Sequence, residues 1–320
     1  MKATKSENSV KTLVILLNMG GPQNKDEVHP YLKELFQDRE ILKLPFQKVL
    51  GRYIAWRRTP KIQERYEEIG QYSPTKRIME EQSAEIAQKL DSIHPLSAPH
   101  VCVSGFRYCS PRTSEMIEQY NSAERIILFS QYPQHSCSTS GSSFCDAYRW
   151  LDKQKDEDYR DRISVIDQWW DRSDYTELWA MLIKRKFDEM KTSYSLLDKD
   201  IRIIYSAHSL PESYCTEKGD KYNVEIRGSF ERIEKVLHSL GLKHEGALAW
   251  QSKVGPQRTK WLTPSTPDVI AETTQKAILM VPIAFTTDHI ETLDEIDIEF
   301  RGYADAVVDH FERVDCFNLE

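Results

Sequence analysis

The chain lacks the common phosphate-binding loops. Neither G-x-x-x-x-G-K-[ST] nor G-x-G-x-x-G occurs in its 320 residues, so nucleotide binding by the usual devices has no support. Its six cysteines, Cys102, Cys109, Cys137, Cys145, Cys215 and Cys316, form no C-x-x-C pair. That argues against a zinc ribbon or finger, and their placement in or beside apolar runs suits free buried thiols in a reducing compartment. No run of 18 apolar residues is present, so no helical membrane span is expected. Basic excess is missing as well. With 43 Lys and Arg against 50 Asp and Glu, the net charge is −7, which leaves no electrostatic footprint for nucleic acid. The first twelve residues, MKATKSENSVKT, lack the apolar stretch of a secretory signal, and they lack Arg and contain a Glu, which makes them a poor organelle leader.

What the chain has is an alternation of short β-rich runs with longer helical patterns. Eight apolar runs stand out, at 13–18, 100–106, 125–131, 163–167, 201–209, 247–252, 277–285 and 311–317. Near-continuous apolar strands between helices indicate parallel sheets buried on both faces. Four runs in each half predict an α/β protein of two doubly wound domains, each a four-stranded parallel sheet flanked by helices. The expected division is a flexible 1–12, a first domain at 13–172 and a second at 173–320. Ligands bind beyond the carboxyl ends of such strands. Polar residues cluster there: Asn18, Arg107, Tyr132, His208, Gln251, Ser252, Asp288 and His289. Together they predict a cleft between the halves.

Two segments invite a functional and a plain reading. Residues 41–56 read as a helix that is apolar nearly all round, with cations at its edges. It could be an ordinary packed helix, or an exposed lip for a membrane surface or a large apolar ligand. The stretch 285–300 places Ile290, Leu293, Ile296 and Phe300 on one helical face and Asp288, Glu291, Glu295 and Glu299 in a row on the other. Like charges at i, i+4 cost a few tenths of a kcal/mol per pair. The row is either a solvated face or a path for cations and protons. Its weight rises if His208, alone at the end of the 201–209 strand, faces Glu291, since an imidazole beside a carboxylate can remove protons near neutral pH or hold a metal ion. The Ser/Gly-rich stretch 136–143 could cradle an anion or simply cap a helix.

The motifs NMGGP (18–22), RRTPKIQ (57–63), GFRY (105–108), QYPQHSCSTSGSS (131–143), SAHSLP (206–211), WQSKVGP (250–256) and PIAFTTDHIETLDEIDIE (282–299) resemble, in collinear order, the eukaryotic-type ferrochelatases. The resemblance implies a lyase that inserts Fe2+ into protoporphyrin IX to make haem, the terminal step of haem biosynthesis, in a cleft between two Rossmann-like domains. It implies that His208 and Glu291 are catalytic and hold Fe2+ transiently, and that Asp288, His289, Glu295 and Glu299 form the proton and metal path. It implies porphyrin contacts from Met19, Arg58, Ser73, Arg107, Tyr108, Tyr132, Trp261 and Phe285, a porphyrin lip at 28–58, and peripheral attachment to the mitochondrial inner membrane on the matrix side, with the cytoplasm as the other location. A haem- or porphyrin-binding relative with impaired catalysis is the alternative function.

Departures accompany the likeness. Gln71 and Tyr72 stand where the family loop is usually Gly-rich, His135 replaces a tyrosine, and 257–260 lengthen the loop before Trp261. The sequence ends at Cys316-Phe317-Asn318-Leu319-Glu320, before the family's further helix. A homodimer, which that helix aids in the family, is therefore in doubt. A [2Fe-2S] cluster is not expected, because only Cys137 of its ligands is present. No stably bound cofactor is expected, and Fe2+ enters as substrate.

Overall fold

A computed structural model of the protein describes residues 10–154, 158–253 and 258–320. The leader question at 1–9 and, of the lengthened loop at 257–260, Gln257 lie outside the described residues. The first sheet has the order β2-β1-β3-β4, all parallel, from β1 (Thr12–Asn18), β2 (His100–Phe106), β3 (Arg125–Ser130) and β4 (Ile163–Ile166). The second has the order β6-β5-β7-β8, also parallel, from β5 (Ile201–His208), β6 (Glu245–Gln251), β7 (Ala277–Val281) and β8 (His310–Arg313). The α/β architecture expected from the alternating runs is thus present twice.

Helices cover both sheets. Along the first half run α1 (Lys25–Gln37), α2 (Gln47–Glu68), α3 (Thr75–Ile93), α4 (Thr113–Gln119), α5 (Ser142–Leu151) and α6 (Asp158–Arg162). Along the second run α7 (Ser173–Tyr194), α8 (Glu212–Thr216), α9 (Tyr222–Ser239), α10 (Thr266–Ala271) and α11 (Arg301–Ala304). Central strand β1 shows why parallel pairing is stable here. Leu13, Ile15 and Leu17 pack on Ile117, Ile126 and Phe144, while Val14 and Leu16 pack on Met79 and Phe106. Alternate side chains meet alternate helical layers, and each such residue contributes about 1.5–3 kcal/mol by leaving water. β5 repeats the arrangement, with Ile203 and Tyr205 against α7 and α9 and Ile204 against Val269 and Ile296.

Two local expectations change. The helix expected from Ile41 begins instead at Gln47. Pro45 disfavours helical backbone at Leu44, and Gln47 closes the turn by accepting from the Leu44 N–H at 2.7 Å and donating to the Phe36 and Leu42 carbonyls at 2.9 and 2.8 Å. The acidic segment is a π-helix over Glu291–Phe300 rather than an α-helix. Its buried residues are Thr292, Asp294, Ile296 and Phe300, with Leu293 only half-buried. Single-turn π-bulges inside α-helices are common at functional sites; ten consecutive residues make this one longer than a single turn.

Candidate active site

The carboxyl ends of both sheets face one cavity of roughly 660 Å³, walled by residues of both halves. At its base the β1 chain leaves the sheet through Asn18-Met19-Gly20-Gly21-Pro22. Gly20 sits at φ +79°, and a Cβ there would stand 2.3 Å from the Cys109 sulfur; one at Gly21 would stand 2.3 Å from the Ser73 hydroxyl. Only glycines let this turn pass so close to its neighbours. The Met19 N–H donates to Tyr132 Oη at 3.1 Å, and Tyr132 donates to Asn18 Oδ1 at 3.3 Å, which fixes both first-half strand ends against the cavity.

From the second half, β5 delivers His208 and β6 delivers Gln251 in register beside it. His208 Nδ1 lies 2.9 Å from Glu291 Oε2. Ser252 links that carboxylate to the next. Its hydroxyl donates to Glu291 Oε2 at 3.1 Å and hydrogen-bonds Glu295 Oε2, while its N–H donates to Glu295 Oε1 at 2.8 Å. Gln251 Nε2 adds a bond of 3.2 Å to Glu295. Serine reaches this position only with φ at +61°.

The electrostatics separate the two carboxyls. Burial alone would raise the Glu291 pKa, but the adjoining His208 pulls it below the usual carboxylate range. Burial, with Glu291 beside it, pushes Glu295 above that range. Burial alone would lower His208, and the Glu291 charge outweighs it, so the imidazole holds its proton more tightly than a free one. His289, buried without such a partner for Nδ1 and set against the Phe285 ring at 4.5 Å, is shifted down by burial. Paired titratable groups whose environments drive them apart are the usual mark of acid and base roles.

The other expected residues divide. Met19, Arg58, Ser73, Tyr132, Trp261, Phe285, His289 and Glu299 line the same cavity as His208, Glu291 and Glu295. Arg107, Tyr108 and Asp288 do not. Arg107 Nη2 and Tyr108 Oη both reach Asp38 Oδ2, at 2.9 and 2.8 Å, because that carboxylate is buried where α1 ends and requires donors. Asp288 turns out of the acidic row. Arg313 donates to it at 3.0 Å, Asn318 at 2.8 Å and Thr292 at 2.8 Å. Glu299 sits at the outer edge, 44 % exposed and 3.0 Å from Arg65. Cys137 is half-buried, its N–H bonded to Asp220 Oδ2 at 2.9 Å, and it belongs to no metal-ligating group among the described residues.

Several site residues escaped the sequence reading. Lys61 and Arg65 join Arg58 along one side of α2 and face the cavity. The i, i+3, i+7 spacing of these cations was a visible signal. Arg65 also pairs with Asp294, whose side chain is 4 % exposed. Nothing local announces that pair, since its members come from opposite halves of the chain. Tyr31, Tyr66 and Tyr222 also line the cavity.

The arrangement offers a base, a graded carboxylate path and a cation-edged apolar slot. The ferrochelatase family model matches residues 11–320. The mitochondrial ferrochelatase of Gallus gallus is 44 % identical over 296 residues, covering 91 % of this chain and 71 % of its own. That of Dictyostelium discoideum is 39 % identical over 318 residues, covering 92 % and 74 %. A ferrochelatase of Trichodesmium erythraeum is 39 % identical over 317 residues, covering 95 % and 78 %. Among solved structures, SirB from Bacillus subtilis with Fe3+ shares the fold at a TM-score of 0.50 and 11 % identity, covering 95 % of this chain and 89 % of its own. On these matches the chain belongs to the ferrochelatase family.

Proposed function

We propose that this protein inserts Fe2+ into protoporphyrin IX and releases two pyrrole protons. The observation that carries the proposal is the contact of His208 with Glu291 inside a cavity that also holds Glu295 and a row of cations. His208 turns Nδ1 to Glu291, which leaves Nε2 to take a pyrrole proton. Glu291 stabilises the resulting imidazolium and passes the proton on through Ser252 and Glu295 toward exposed Glu299. Glu295, with its raised affinity for protons, is suited to carry them one at a time. Arg58 and Lys61 suit the propionates of the macrocycle, as guanidinium and ammonium groups pair with carboxylates, while Met19, Tyr132, Trp261 and Phe285 supply apolar faces. Oxygen and imidazole donors at His208 and Glu291 match a ferrous ion on its way to the ring.

The two halves are proposed as domains divided near Arg172, with the cavity at their junction. Phe46, Val49, Tyr53 and Trp56 are exposed on α2 and the turn before it, beside Lys48, Arg52 and Arg57. That combination supports peripheral contact with a membrane surface. No described helix is long and apolar enough to cross one. Relatives named as mitochondrial support a mitochondrial location, and with the exposed apolar lip the proposed place is the inner membrane on its matrix side; cell fractionation decides between that and the cytoplasm. The function is tested by mixing the protein anaerobically with protoporphyrin IX and Fe2+ and following the metalloporphyrin spectrum. Turnover is expected. Tight porphyrin binding without any metalloporphyrin would overturn the proposal and favour a binding protein.

A further inference from the structure

A second group of ligating side chains lies away from the cavity, where α9 turns into β6. Glu234 and His238, four residues apart on α9, project from the same side of the helix. His244, just before β6, rises to meet them. The ligand-capable atoms of all three lie within 4.8 Å of one another. His244 Nε2 stands 2.9 and 3.1 Å from the two Glu234 oxygens, and His238 Nε2 stands 3.9 Å from Oε2. The Tyr205 hydroxyl donates to Glu234 Oε1 at 2.6 Å and fixes the carboxylate from below.

Three features distinguish this group from a surface ion pair. The His244 side chain is fully buried and that of Glu234 nearly so, while His238 is 58 % exposed and leaves one approach open. Gly246 makes room for the carboxylate, since a Cβ there would stand 2.4 Å from Glu234 Oε2. The donor set itself is specific: two imidazoles and one carboxylate are the ligands of first-row divalent ions with an open position. Ligand atoms around such an ion at about 2.0–2.1 Å are separated by roughly 3.3 Å in a tetrahedral shell. The two Glu234 separations, 2.9 and 3.9 Å, bracket that value, and no two of the three ligand atoms stand more than 4.8 Å apart, so side-chain movements of an ångström or so suffice.

We propose that Glu234, His238 and His244 bind a first-row divalent transition-metal cation, with water completing its shell beside His238. The site is separate from the cleft. Gln251, at the far end of β6, lines the cavity, and a strand of this length spans about 20 Å. On binding, His244 Nε2 presents its lone pair to the ion and the ring proton moves to Nδ1. That nitrogen is buried without a partner, which keeps the site weaker than a closed structural zinc centre. Bound metal staples the end of α9 to the start of β6, and so raises thermal stability by mass action.

Equilibrium dialysis of the full chain against Co2+ tests this. The wild type is expected to bind one more equivalent than His238→Ala, and His208→Ala is expected to retain that equivalent. His238 is exposed, so its replacement leaves the fold and the metal-insertion activity intact, and Co2+ raises the melting temperature of the wild type but not of this variant. Equal stoichiometry and affinity in the wild type and His238→Ala would overturn the proposal. So would loss of the extra equivalent in His208→Ala alone, which would place the ion in the cleft.

Discussion

Ser252 joins Glu291 to Glu295 from a left-handed backbone conformation, which costs a non-glycine residue about 1–3 kcal/mol. Strain at the link between two carboxylates suggests that position, not stability, fixed the residue. Ser252→Gly is therefore expected to raise stability by up to about 1 kcal/mol in chemical denaturation while slowing metal insertion; a fall in both would contradict the strain. Glu291→Gln acts on the base. Without the Glu291 charge, burial, the largest influence on His208 and one that lowers its pKa, is opposed only by the smaller effect of Glu295. The acid limb of the pH–rate profile is then expected to move down from its position above the ordinary imidazole value, with insertion slowed by about 100-fold or more. The same pair sets a stability window. The lowered Glu291 contributes stability above the ordinary carboxylate pKa and loses it as pH falls through its folded value, while the raised His208 contributes below the ordinary imidazole pKa and loses it as pH rises through its folded value. Thermal melts should show the stability difference between wild type and His208→Ala at its largest between those limits. His208, Glu291 and Glu295 were legible in the sequence because strand-end placement and helical spacing are local properties. Asp288 and Arg107 were not, because Arg313 and Asp38 claim them through tertiary contacts that no spacing reveals.

The elements that close the cavity are α2 and the π-helix, and Arg65 ties them together. It pairs with buried Asp294 and with Glu299 across the mouth. Removing one partner of a buried pair strands the other charge. Arg65→Met is thus expected to lower stability by about 3 kcal/mol, and adding Asp294→Asn should recover most of the loss; urea titrations of the two variants check this, and equal stability of Arg65→Met and wild type would refute the role of the pair. The outer face of α2 behaves differently. Phe46 and Trp56 are 85 % and 66 % exposed, so polar replacement of Phe46, Tyr53 and Trp56 should leave the melting temperature unchanged while weakening flotation with anionic liposomes. Unchanged flotation would remove the membrane reading. Strands were the easier elements to read, since an apolar run buried on both faces declares itself. The start of α2 was missed because Pro45 and the side chain of Gln47, not hydrophobic period, decide it. The π-helix was missed because its apolar repeat, Thr292, Ile296 and Phe300, includes a threonine and sits close to an α-helical repeat.

At the scale of the whole molecule, an acidic protein keeps three cavity-facing cations, Arg58, Lys61 and Arg65, on one helix and the carboxylates Glu291, Glu295 and Glu299 on the facing one. In the function proposed above the macrocycle lies between them, with propionates toward Arg58 and Lys61 and pyrrole nitrogens toward His208. Both sheets contribute, which is why neither half alone carries the site. The two-sheet plan followed from the count of apolar runs, whereas the junction could be inferred only from polar residues gathered at strand ends. The central claim is that His208 and Glu291 together remove the pyrrole protons. Its most direct test is the anaerobic rate of Fe2+ insertion by the wild type and by Glu291→Gln, with protoporphyrin IX binding measured on both. The account predicts similar porphyrin affinity and a loss of most of the insertion rate in the variant. Wild-type rates in Glu291→Gln, at equal porphyrin affinity, would contradict it.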